Sequence, residues 1–145
     1  MGRCVNAKYA IKEDGTVSVR NNDYNRVFGW TGVTGSAIQP NKEAKEGKLI
    51  VSFGSPPTED QDANYQIVDT DYDNYVVVYG AGEIWGGRAC MENLWILGRE
   101  PKIDDEFMDK AKTAIADKLP GYNFEKLAHY THQGDSCPYD TAPEK

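Results

Sequence analysis

Apolar residues recur at every second position through most of this chain. Between Val5 and Ile11, Val5, Ala7, Tyr9 and Ile11 alternate with Asn6, Lys8 and then Lys12, the period of a half-buried β-strand. Glu13-Asp14-Gly15 follows, and Asp-Gly supplies the positive φ of a tight hairpin. The return strand, Thr16 to Asn21, sets Val17 and Val19 on one face and Ser18 and Arg20 on the other. From Asn22 to Pro40 the chain is glycine-rich, and Val27, Phe28, Trp30 and Val33 mark one or two curved strands. Lys48 to Phe53 alternates again, with Leu49, Val51 and Phe53 against Ile50 and Ser52. Gly54 to Ala63 reads as a loop. Tyr65 to Asp71 and Tyr75 to Tyr79 read as strands joined by a turn at 71–74. Gly80 to Gly87 reads as loop, and Ala89 to Leu97 as the next strand.

One segment changes period. Asp104 is placed as an N-cap, with Asp105 and Glu106 in the first turn and Phe107, Ala111, Ala114, Ile115 and Leu119 on one apolar face. Pro120-Gly121 ends this helix, predicted over Asp105 to Leu119. A last strand is expected from Lys126 to His132, and the tail from Gln133 reads as irregular. About seven antiparallel strands, one helix and one more strand indicate an all-β fold, and the single late helix favours a barrel with the helix outside. No repeat or boundary divides residues 1–145, so one domain is expected.

Composition narrows the function. The 145 residues suffice for a real core, and a formal charge of −7 excludes the basic footprint of nucleic-acid binding and disfavours anionic membranes. No apolar run approaches a membrane span. Nine Tyr suit a half-polar cavity wall, because the ring is apolar and the hydroxyl is not. Catalytic patterns are poor: there is no nucleophile elbow, phosphate loop or CxxC. His129 and His132, three apart on a predicted strand, point to opposite faces and cannot share a metal. Asp69, Asp71 and Asp73 lack the glycine and distal glutamate of a calcium loop and read as turn formers. Three cysteines leave two readings: three reduced thiols, or a bridge between Cys4 and Cys137 near opposite ends, with Cys90 left over.

Three ordered motifs then carry a resemblance. Thr70-Asp71-Tyr72-Asp73-Asn74-Tyr75, between two strands, resembles the second conserved motif of the lipocalins. Leu94-Trp95-Ile96-Leu97-Gly98-Arg99 is similar to their third, a strand ending in Arg before the helix. Gly2-Arg3-Cys4-Val5-Asn6-Ala7-Lys8-Tyr9 resembles the second strand of the apolipoprotein D branch, and Ser136-Cys137-Pro138-Tyr139-Asp140-Thr141 the tail of crustacyanin subunits, the carotenoid-binding lipocalins of crustacean shell.

The resemblance implies an eight-stranded antiparallel up-and-down barrel with one C-terminal helix, a Cys4–Cys137 disulfide, and secretion. It also implies a first strand carrying Gly-x-Trp ahead of this sequence, its indole packed under Arg99, so Met1 is not expected to be the native start. The residue matching one cysteine of a second family bridge is Gly80 or Ala81, which leaves Cys90 free or paired with something outside this sequence.

The implied function is carriage of a hydrophobic small molecule: a pigment such as a carotenoid (astaxanthin) or a bilin (biliverdin), or else a lipid, sterol or fatty acid. No catalytic cofactor or metal is expected. Association with itself or other lipocalin subunits is the expected partnership besides the ligand. Alternation and resemblance together place Tyr9, Asn21, Leu49, Val51, Phe53, Tyr65, Ile67, Tyr79, Trp95 and Leu97 on the ligand wall, with Tyr24 and Trp85 on loops at its mouth. At β-strand spacing, Leu94 and Ile96 fit the inward set as well as Trp95 and Leu97, and the resemblance decides for the latter. The plain alternative is that all of these are barrel core. An alternative of another class is an isomerase using Cys90, although no neighbouring pattern activates that thiol.

Overall fold

The first hairpin closes where Asp-Gly demands it. Asp14 accepts the Thr16 N–H at 2.9 Å and its hydroxyl at 2.6 Å, while Gly15 takes a φ of 82°. The computed structural model describes residues 2–84 and 88–144, and among them seven strands run in chain order, each paired antiparallel with the next. They are β1 (Arg3–Ile11), β2 (Val17–Asn25), β3 (Gly29–Ile38), β4 (Lys48–Ser52), β5 (Tyr65–Thr70), β6 (Tyr75–Ile84) and β7 (Ala89–Gly98). Helix α1 (Asp105–Lys118), the single helical turn α2 (Phe124–Leu127) and a 3₁₀ turn at Tyr139–Thr141 follow. The chain packs as two compact units, the first made of 1–40, 50–62 and 129–145, the second of 41–49 and 63–128.

In the first unit, β1, β2, β3 and the end of β4 form a ladder, and the C-terminal tail lies on one of its faces. Cys4 and Cys137 are joined by a disulfide that spans 133 residues of sequence. The Cys4 N–H donates to the His132 carbonyl at 2.8 Å, and Gln133 Nε2 donates to the Val5 carbonyl at 2.7 Å. Farther along, Lys8 Nζ reaches the Ala142 carbonyl, Asn22 Nδ2 reaches that of Pro143, and Trp30 Nε1 donates to Thr141 Oγ1 at 3.1 Å. Asn22 is only 2 % exposed, and its amide is satisfied by Asn6, Arg20 and Pro143, so its burial carries no unpaired polar group. The β1 face that bears Asn6 and Lys8 is therefore tail-covered.

In the second unit, α1 lies against β5 and β6. Ala111 and Ile115 are buried with Tyr75 and Val77, and Phe107, Val68, Leu94 and Ile96 pack around them. A bulge in β5 between Ile67 and Asp69 lets two successive residues serve the helix side. Val68 joins the core there, and Asp69 accepts the Tyr75 hydroxyl at 2.6 Å and Lys118 Nζ at 2.8 Å.

Several boundaries differ from the expectation. β6 continues past Tyr79 to Ile84, so the stretch from Gly80 to 84 is strand rather than loop. Tyr24 lies within β2, packed edge-on against Trp30 at 5.2 Å, and is not on a loop. Residue 85, read as a mouth-loop Trp, lies outside the described residues. The strand expected from Lys126 to His132 does not form. Asn123 accepts the Lys126 N–H at 3.0 Å and commits Phe124–Leu127 to a helical turn, after which residues 128–133 are irregular.

Two predictions follow from these contacts. The bridge closes nearly the whole chain, so the Cys4→Ala/Cys137→Ala variant should lose about 2–5 kcal/mol in urea denaturation. Asp71 gains its Asn74 carboxamide partner only on folding, and with nearby N–H groups this pulls its carboxyl down to about 2. A lowered pKa means the contribution is present above the unfolded value of ~3.9 and is lost as pH falls toward ~2. Asp71→Asn should therefore flatten the stability profile between roughly pH 4 and pH 2, read by thermal melts across that range.

Candidate functional site

Strand register assigns the face of every predicted wall residue. In the first unit, Ala7, Asn21 and Val33 stand abreast, then Tyr9, Val19 and Gly35, then Ile11, Val17, Ala37 and Val51. Phe53, two residues beyond Val51, lies over Gly35: a Cβ there would meet the Ser52 carbonyl and come within 2.7 Å of the Phe53 ring. This face is opposite the one bearing Asn6, Lys8 and Asn22 under the tail. Its small residues are sealed, with Val19 3 % and Ala37 1 % exposed, while its rings are open, Tyr9 at 49 % and Phe53 at 44 %. Tyr9, Asn21, Val51 and Phe53 thus share one face of this unit.

The second unit repeats the arrangement with different residues. Leu49 stands opposite Tyr65, Ile67 opposite Val78, Val78 opposite Trp95, and Val76 opposite Leu97. The Trp95 ring covers Gly80, where a Cβ would come within 2.9 Å of it, and stacks with Tyr65 at 6.5 Å between centroids. Trp95 remains 41 % exposed. Leu49, Tyr65, Ile67, Trp95 and Leu97 share this face, while Leu94 and Ile96 lie on the other beneath α1. Register therefore resolves the ambiguity that alternation left at 94–97.

Tyr79 is the exception among the ten. It pairs with Gln66 and Leu94 on the helix side, so it does not stand with Tyr65 and Trp95. Its hydroxyl donates to Glu92 at 2.6 Å, and that bond holds the phenol above its usual range. Cys90, the free thiol, is exposed and shares the face of Glu92 and Leu94, opposite that of Trp95.

Alternation missed Val33 and Gly35 on β3, and Val78 and Gly80 on β6. In β3 the glycines at 29, 32 and 35 hide the period of two. In β6, Val76, Val77 and Val78 form an unbroken apolar run, because both faces are apolar in their surroundings.

The Asp71–Asn74 turn is densely hydrogen-bonded. The Thr70 hydroxyl donates to the Tyr75 carbonyl at 2.7 Å and accepts the Tyr72 N–H at 2.9 Å. Tyr72 takes a φ of 69°, which aims its carbonyl at Arg99, whose Nη2 donates to it at 2.9 Å. The Arg99 N–H closes onto the Asn74 carbonyl at 3.0 Å. Tyr75 is pushed up to about 12, first by its bond to the Asp69 carboxylate and then by burial. Asp69, held low by Lys118 and then Tyr75, stays charged. Among the described residues no group of three His, Cys, Asp or Glu is gathered for a metal.

Known proteins share this construction. The family model for a lipocalin-like domain matches residues 2–132. Apolipoprotein D of Bos taurus is 33 % identical over 139 residues, covering 94 % of this chain and 68 % of the relative. Apolipoprotein D of Mus musculus is 31 % identical over the same length and shares of each chain. The crystal structure of lobster apocrustacyanin A1 superposes with a TM-score of 0.72 at 22 % identity, covering 98 % of this chain and 73 % of that one. The chain belongs to the lipocalin family.

Proposed function

We propose that this lipocalin carries an elongated hydrophobic small molecule, and that each unit, taken by itself, offers a ring-bearing face for it, Tyr9 and Phe53 in the first and Tyr65 and Trp95 in the second. Membership of the family supports binding and transport of hydrophobic small molecules. The observation that carries the reading to these faces is the exposure of Tyr9, Phe53 and Trp95. Rings 41–49 % open on faces away from the tail and the helix are costly in water, whereas the opposite faces are already packed. Phe53 and Trp95 rest on glycines, so each ring presents a flat apolar surface held from behind.

The ligand class we favour is a long conjugated pigment, a carotenoid or a bilin, in keeping with the crustacyanin-like tail. A lipid, sterol or fatty acid is the second reading, supported by the apolipoprotein D relatives. Asn21 supplies the polar group for one end of the molecule. A catalytic role for Cys90 is not favoured, because the thiol stands on the face opposite Trp95. The protein acts as a carrier outside the cell, where a disulfide such as Cys4–Cys137 persists.

Titration with retinoid, carotenoid and bilin panels, followed by tryptophan quenching, tests this reading. Full enclosure of an aromatic side chain is worth about 1.5–3 kcal/mol, so Trp95→Ala should weaken the best ligand roughly ten-fold or more. Gly80→Ala, which drives a methyl into the indole, should also weaken it, and with a pigment either change should shift the absorption band. Unchanged affinity and spectrum in Trp95→Ala, Gly80→Ala and Tyr9→Ala would overturn the assignment.

A further inference from the structure

The turn between β2 and β3 holds its apolar side chains outward. Val27 and Phe28, adjacent at its tip, are each 81 % exposed. Turn chemistry favours small polar residues at such a place, so two neighbouring large apolar ones need a reason. The tip is also pre-formed. Asn25 Oδ1 accepts the N–H of Val27 at 2.8 Å and of Phe28 at 3.2 Å, and Gly29 closes the turn with a φ of 76°. The two backbone donors that lead the tip are therefore already satisfied, as a loop entering hydrocarbon requires.

Charged and aromatic residues flank the tip. Arg26 precedes the apolar pair, and with Arg3 it lines an open cleft of about 480 Å³, whose other walls are Gly2, Asp23, Tyr24, Asn25 and Val27. Tyr24 pairs with Arg3 on one side and Trp30 on the other, its ring edge-on to the indole. Arg26 therefore stands at the tip beside the apolar pair, and Arg3 at its base, level with Tyr24. A phospholipid leaflet offers acyl chains to the apolar pair and phosphates to the two guanidinium groups.

We propose that the β2–β3 tip docks on a phospholipid surface, with Val27 and Phe28 entering the acyl boundary and Arg3 and Arg26 meeting lipid phosphates. The overall charge of −7 repels a densely anionic leaflet, so the surface that fits is a zwitterionic one of the phosphatidylcholine kind. Asp23, the carboxylate lining the cleft among the described residues, also accepts the Thr31 hydroxyl.

Flotation with phosphatidylcholine vesicles tests the proposal on the full chain. The wild type should float with the vesicles, and Val27→Asp/Phe28→Asp should lose binding at least ten-fold. Arg26→Gln should weaken it a few-fold, and Phe28→Trp should shift its emission to the blue on vesicle addition. The tip side chains are exposed, so these variants should keep the wild-type far-ultraviolet circular dichroism, which is recorded alongside. Binding of the double variant equal to wild type would overturn the proposal, as would absence of wild-type binding. Displacement by millimolar inorganic phosphate would also overturn it, making the cleft an anion site. So would a loss confined to self-association in sedimentation, which would make the tip a contact between copies. None of these outcomes touches Trp95 or Gly80, so the ligand reading stands or falls separately.

Discussion

Every β-strand residue in this chain must answer to one of two surroundings, and which one it meets is set by what covers the opposite face. In the first unit the C-terminal tail, held by Cys4–Cys137 and by bonds to Lys8, Asn22 and Trp30, occupies one face of the ladder. In the second unit α1 does the same with Ala111 and Ile115. Once one face is spoken for, period two sends Tyr9, Asn21 and Phe53, or Tyr65, Trp95 and Leu97, to the other. The ring-bearing face is thus a consequence of the covering elements rather than a separate construction. A shift of one residue in β7 would exchange Trp95 for Leu94 and put the indole under the helix.

Glycine gives these faces their relief. At Gly35 and Gly80 the missing Cβ is the space that a Phe53 or Trp95 ring fills. A ring seated on a glycine is supported by backbone, loses less side-chain freedom when a ligand arrives, and keeps its outer surface available. Neither glycine has a positive φ, so close approach rather than backbone conformation accounts for them.

Much of this was legible in the residues because the physics that decides it is local. The Asp14-Gly15 hairpin, the alternation of β1 and β4, and the apolar face of α1 each rest on neighbours within a few positions. The Thr70–Tyr75 turn and Arg99 were recognisable as motifs, although their bonding partners, above all the Tyr72 carbonyl, needed three dimensions. What was not legible depended on partners distant in sequence. Tyr79 follows Tyr75 and Val77 to the helix side, opposite Leu94, and only pairing with β7 shows it. Lys126 to His132 has strand-like character, but the Asn123 cap wins 124–127 for a helical turn. The valine run of β6 shows no period at all, since its two faces differ in what covers them and not in polarity.

The central claim is that ligand meets the ring-bearing faces and not the covered ones. Residue-resolved NMR of the labelled protein, titrated with a retinoid or carotenoid, tests this most directly. The account predicts shifts concentrated at Tyr9, Asn21, Gly35, Gly80 and Trp95, with Tyr79, Leu94, Asn22 and Lys8 nearly still. Shifts concentrated instead at those last four, beneath the helix and the tail, would contradict it.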